Sequence, residues 1–126
     1  AELEHLLDEY CEDMHQTPDF VADPIAARAA IMAEWRARHT QPDGRFALYR
    51  PSGCPECNGG YKGRVGLHEL MLGSDPIKRA IQERARAATV LSMSLADGMR
   101  TLRQDGIEKV LAGITDMAQI RKVCVK

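Results

Sequence analysis

The first 23 residues contain no Lys and no Arg, although the whole chain holds seventeen. That stretch carries eight acids, Glu2, Glu4, Asp8, Glu9, Glu12, Asp13, Asp19 and Asp23, which leaves all seventeen bases facing ten acids in the remainder. The net charge of −1 therefore hides a segment of about −8 followed by one of about +7. Two readings follow: a solvated acidic helix face, or a segment that meets basic surface of its own chain or of a neighbour. Also missing is any apolar run near 18 residues, which argues against a membrane span. One Trp, two Phe and three Tyr offer little for base stacking, and the charge balance is not that of a polycation, so no nucleic-acid partner is expected. The start has no cationic stretch leading into an apolar one, so no signal peptide is expected. It also lacks an initiator Met, with a helical pattern under way by Leu3, so the chain reads as part of a longer protein.

Catalytic motifs are absent too. No GxxxxGK[ST], HExxH, GxSxG or kinase-like cluster occurs, and no catalytic residue is assigned. Gly60, Gly63 and Gly66 mimic a spaced-glycine loop, but no helical pattern follows them, so turn geometry is the simpler reading. His68 beside Glu69 points to opposite sides of an extended segment and is read as a surface histidine. Four cysteines, Cys11, Cys54, Cys57 and Cys124, make a poor disulfide framework for this length and suit a reducing compartment, which brings metal binding forward.

Cys54-Pro55-Glu56-Cys57 followed by Asn58-Gly59-Gly60 has the sequence of a zinc knuckle: two thiolates three positions apart converge on one ion when the chain between them turns tightly. Such a pair is half a site. Asp8, Cys11 and His15, spaced i, i+3 and i+7, would share one helix face, so the expected zinc ligands are Cys11, Cys54, Cys57 and either Asp8 or His15. A zinc with four protein ligands leaves no open position and would be structural. A plain turn and a redox dithiol are the competing readings of the two cysteines, and Cys124 reads as a free thiol. Arg45, Arg50, Lys62 and Arg64 around Tyr61 form a candidate interaction surface for a phosphate or an acidic partner, with a solvated face as the plain alternative. A stand-alone zinc-ribbon adaptor for nucleic acid or protein is the rival function.

Leu3, Leu6, Leu7 and Tyr10 predict an amphipathic helix over about residues 2 to 15, ended by Thr17-Pro18. Asp23-Pro24 reads as an N-cap and first helical position for a second helix running to about Arg38, with Ile25, Ala29, Ile31, Met32 and Trp35 as its apolar residues. A turn at 41–44 follows, and extended segments through Phe46–Leu48 and Val65–Met71 are expected to pair around the knuckle. From Ser74-Asp75-Pro76 the pattern is helical: Ile77, Ala80 and Ile81, then Leu91, Leu95, Met99 and Leu102, then Ile107, Val110 and Leu111. Gly98 and Gly106 suggest a break or kink, and Met117, Ile120 and Val123 predict a short last helix. The fold class is α+β, mostly α, with helices around a small two-stranded zinc knuckle.

The run from Gly53 to Leu72, with Cys54, Cys57, Gly60-Tyr61-Lys62-Gly63-Arg64 and Glu69, resembles the CxxC…GYxGRxGxxE signature of the secretion and pilus-assembly ATPases. The run from Asp97 to Val123 is similar to that family's C-terminal helices, so the likeness covers about residues 48 to 123. It implies a cytoplasmic hexameric motor, peripheral to the bacterial inner membrane, that powers type II secretion or type IV pilus assembly. This chain would be its non-catalytic C-terminal part. The resemblance further implies ATP and Mg in an upstream domain, and contacts with that domain, neighbouring ring subunits and inner-membrane platform proteins. It divides the chain into a zinc-binding subdomain at 1–73, with a helical insertion at about 23–38, and a helical module at 74–126. Against the family pattern Asp8 stands where a first cysteine would be.

Overall fold

The computed structural model describes residues 2–49, 51–57 and 59–124. Among these, seven helices follow one another: α1 (Glu2–Glu12), α2 (Pro18–Ala22), α3 (Pro24–His39), α4 (Asp75–Gln82), α5 (Ala87–Ala96), α6 (Leu102–Leu111) and α7 (Met117–Val123). The chain is mostly helical, as the periodicity predicts. α1 closes a turn earlier than expected, and the Thr17 hydroxyl donates to the Met14 carbonyl at 2.7 Å where the chain turns away. Pro18 ends nothing there: with no N–H to leave unbonded it opens the short α2. The Asp23 carboxylate accepts from the Ala26 N–H at 3.1 Å, which caps α3 as its sequence suggests.

One core holds α1, α2, α3, α6 and α7 together, while α4 and α5 pack on each other. Leu6, Leu7 and Tyr10 of α1, Ile31 and Trp35 of α3, Ile107, Val110 and Leu111 of α6 and Ile120 of α7 are all buried in it. Trp35 is completely enclosed, and its ring meets Tyr10 edge to face, with centroids 5.2 Å apart and planes at 86°. Such a pair contributes about 0.5–1.5 kcal/mol beyond its buried area. Thr101 and Gln104 form a capping box at the start of α6. The buried Gln104 amide also donates to the Tyr10 carbonyl at 3.0 Å, in the last turn of α1 where the helix leaves its own carbonyls unpaired. One side chain thus ties the start of α6 to the end of α1.

Several large stripe residues lie outside this core and are exposed, Leu91 and Leu102 among them. Ile25 at the start of α3 is 83% exposed, and Ile81 and Val123 also face solvent. Gly98, at φ +108, separates α5 from α6, whereas Gly106 lies inside α6 without breaking it.

The expected two-stranded knuckle is not formed among the described residues. Segments 45–49 and 64–73 have no regular secondary structure, and their anchors lie in the helices. Phe46, Leu48 and Leu67 pack against the helical core. The His68 N–H donates to the Asp105 carboxylate at 2.9 Å, and the Glu69 carboxylate accepts from the Leu102 N–H at 3.0 Å. A strand ladder needs those backbone and side-chain positions to face a second strand; here they are committed to the first turns of α6.

Candidate functional site

The part of the glycine-rich segment from Gly59 to Gly73 is laid across α6 and α7, and carboxylate contacts hold it at Tyr61 and at His68–Glu69. Asp116 caps α7 by accepting from the Gln119 N–H and also receives the Tyr61 hydroxyl in a short hydrogen bond. That acceptor holds the Tyr61 phenol above its usual range. Glu69 reaches the first N–H of α6, where a negative charge is favoured by the helix dipole. Gly60 has φ +95, and a β-carbon there would lie 2.6 Å from Cβ of Pro51, so the loop folds back on its own start where only glycine fits.

Asp105 sits between the His68 N–H and the Lys109 ammonium, 2.7 Å away. Burial would raise its pKa, but Lys109 and the His68 amide outweigh it and hold the carboxyl below the usual range. A depressed carboxylate stabilises the fold above its unfolded-state pKa, and this contribution is lost as the pH falls from about 4 through the lower folded value. The stability gap between wild type and Asp105→Asn, measured by urea denaturation, is therefore expected to shrink as the pH falls through that window. A gap independent of pH would show that the strap does not depend on the charge.

Cys54 and Cys57 are brought together as expected. The Cys54 N–H donates to Sγ of Cys57 at 3.0 Å, and the Cys57 N–H reaches the Cys54 carbonyl at 3.4 Å. A hydrogen bond from the Cys54 thiol, with the Gly60 and Cys54 backbone, lowers the pKa of Cys57. The other expected ligands are employed differently. Cys11 lies on the α1 face that packs into the core, and burial pushes its thiol up to about 11. Asp8 accepts from Arg28 at 2.6 Å, and His15, beyond the end of α1, bonds through Nδ1 to the Glu12 carbonyl at 2.7 Å. Among the described residues no three His, Cys, Asp or Glu side chains gather as a metal ion would require. The set Cys11, Cys54, Cys57 with Asp8 or His15 thus does not fit a four-ligand zinc as these side chains stand.

The acidic segment meets basic surface of its own chain. Arg28 on α3 takes both Glu4 and Asp8, Arg103 on α6 takes Glu12 and Asp13, and Arg121 on α7 takes Glu9 at 2.5 Å. The Arg28 pairs, largely exposed, contribute about 0–1 kcal/mol each, whereas Arg103 and Asp13 are both largely covered; together the pairs fix how α1 sits on α3, α6 and α7. Nothing in the spacing of the acids pointed to Arg28, Arg103 or Arg121. The capping box at Thr101 and the i, i+4 pair of Asp105 with Lys109 are signals the sequence does contain.

Of the expected basic surface, Lys62 and Arg64 line a common cavity of about 740 Å³ between the glycine-rich segment and the start and end of α7. Val65, Ile114 and Val123 add exposed apolar surface to it. Arg45 stands apart in the turn after α3, and Arg50 lies outside the described residues.

A family model described as Type II/IV secretion system protein matches residues 3–122. The chain is 37% identical over 101 residues to the type II secretion system protein E of Dickeya dadantii, covering 79% of this chain and 20% of that protein. It is 35% identical over 80 residues to the type IV pilus assembly ATPase PilB of Pseudomonas aeruginosa, covering 64% and 14%. To PilB of Thermus thermophilus it is 42% identical over 74 residues, covering 58% and 8%. No solved structure matches the chain. The chain spans a fifth or less of the length of these curated relatives.

Proposed function

The chain belongs to the type II/IV secretion system protein family, and from that premise we propose that it is the C-terminal, non-catalytic part of a hexameric cytoplasmic ATPase. That motor would power type II protein secretion or type IV pilus assembly from the inner face of the bacterial inner membrane. The observation that carries this reading is the match over residues 3–122, joined to likeness with both a secretion protein E and a pilus assembly ATPase. Two further features support it. The sequence has no phosphate-binding loop, and among the described residues no helix is long and apolar enough to cross a membrane.

In this reading ATP and Mg are bound by the upstream motor domain. The helical core of the present chain is a rigid mount, and the strapped segment 51–73 presents a surface to neighbouring subunits and to the platform proteins. This reading does not need the zinc clip between α1 and the knuckle: as the side chains stand, Cys11 lies in the core, Asp8 pairs with Arg28 and His15 bonds the Glu12 carbonyl. Cys54 and Cys57 remain the place where a soft metal would be held.

The purified chain is expected to hydrolyse no ATP above the buffer blank. In the intact parent motor, Glu69→Lys together with Asp105→Lys should lower secretion or pilus output at least about tenfold while nucleotide binding is retained. ATP turnover by this chain alone, or normal output from that variant, would overturn the reading.

A further inference from the structure

Once the ion pairs within the chain are counted, two charged apolar surfaces remain without partners. The first is the corner where α2 meets α3. Val21 and Ile25 there are 71% and 83% exposed, and Asp19 and Asp23 beside them face no cation among the described residues. The Asp23 carboxylate accepts from the Ala26 N–H. The second is the cavity of about 740 Å³ beside α7, where Lys62 and Arg64 have no carboxylate partner among the described residues and flank Val65, Ile114 and Val123. The other described cavities that contain arginine hold ones already engaged: Arg38 with Glu108, Arg100 with Tyr10, and Arg121 with Glu9.

We propose that the α2–α3 corner of one copy of this chain docks in the Lys62–Arg64 groove of the next. The occupant is a second copy because this chain itself supplies both complements: a protruding pair of aliphatic side chains flanked by two carboxylates, and an apolar hollow flanked by two cations. Such a contact joins two different surfaces of identical chains, and so propagates head to tail until rotation closes it into a ring. This inference rests on the reading of the chain as a subunit-contacting part of a ring motor, and names the two surfaces that meet.

The test is sedimentation velocity of the 126-residue chain over a wide concentration range at low salt. The wild type should self-associate. Lys62→Glu with Arg64→Glu reverses the groove, and Asp19→Lys with Asp23→Lys reverses the corner; each double variant should associate about tenfold or more weakly alone. Mixed in equal amounts, the two should associate again, because each reversed surface then meets a reversed complement while the native surfaces also match. Circular dichroism of each variant verifies that the helices are intact. A wild type that stays monomeric, reversals that change nothing, or folded variants that fail to rescue each other would overturn the contact. None of these outcomes bears on the motor reading, which stands or falls on the ATP and secretion measurements above.

Discussion

Trp35→Ala is expected to cost about 3–5 kcal/mol, a large fraction of the about 5–15 kcal/mol that stabilises a domain of this size. The side chain is fully enclosed where α3 packs on α1, so truncation opens a cavity bounded by Tyr10 and its neighbours. Among the described residues the indole Nε1 has no hydrogen-bond partner, and the loss is one of packing. Trp35→Phe keeps an aromatic edge against Tyr10 and should recover a large part of the loss. Urea or guanidinium midpoints read both variants at constant slope. A cost below about 1 kcal/mol for the alanine variant would contradict the packing of α1 on α3.

The second large effect is at Gly106, and its sign runs against helix propensity. In an exposed helix interior, exchanging glycine for alanine stabilises by about 1 kcal/mol. Here a β-carbon would lie 2.7 Å from Cγ2 and 2.8 Å from Cδ1 of Ile120, a buried branched side chain with few alternative rotamers. Overpacking of this kind costs about 1–3 kcal/mol, so Gly106→Ala should be destabilising and Gly106→Leu should push α7 off the core. Removing the obstruction provides the control. Combined with Ile120→Ala, which takes away Cγ1, Cγ2 and Cδ1 together, Gly106→Ala should cost less than the sum of the two single changes, by about 0.5 kcal/mol or more. Strict additivity would mean that the two side chains do not meet. Hydrogen exchange in α7 gives a second readout, since amides 117–123 should lose protection in Gly106→Leu before the rest of the core does.

Local chemistry made much of the helical framework legible. Asp23 followed by Pro24 marks the start of α3, and Gly98 marks the break between α5 and α6, because caps and positive φ are decided by one or two residues. Periodicity named the right helices but overcounted their buried faces. Ile25, Ile81 and Val123 fit the stripes and face solvent, since spacing gives a direction around the helix axis and not the extent of the neighbour that covers it. The paired strands were an inference from alternation. Their place is taken by Asp105 and Glu69, whose bonds to His68 and Leu102 span 37 and 33 positions, and no local pattern announces them. The candidate site divides along the same line. Cys54 and Cys57 meet because their turn is local, whereas Asp8, Cys11 and His15 were grouped by one helix face without knowledge of what packs there. The charge split was plain in the sequence, but that its acids would be claimed by Arg28, Arg103 and Arg121 required the fold.

Those arginines also set an order of events during synthesis. α1 is made before α6 and α7, yet its Glu9 pairs with a residue 112 positions later, and the Gln104 amide that closes its last turn comes 94 positions after Tyr10. Until α6 and α7 have been made, α1 and α3 have only each other to cover Leu6, Tyr10 and Trp35. Contacts so distant in sequence form late and slow folding, so the nascent chain exposes this apolar surface until α6 and α7 have been made. The run of acids with no base among them then acts as a solubiliser: eight like charges keep the waiting helix in water and repel its copies on neighbouring ribosomes until the arginines arrive.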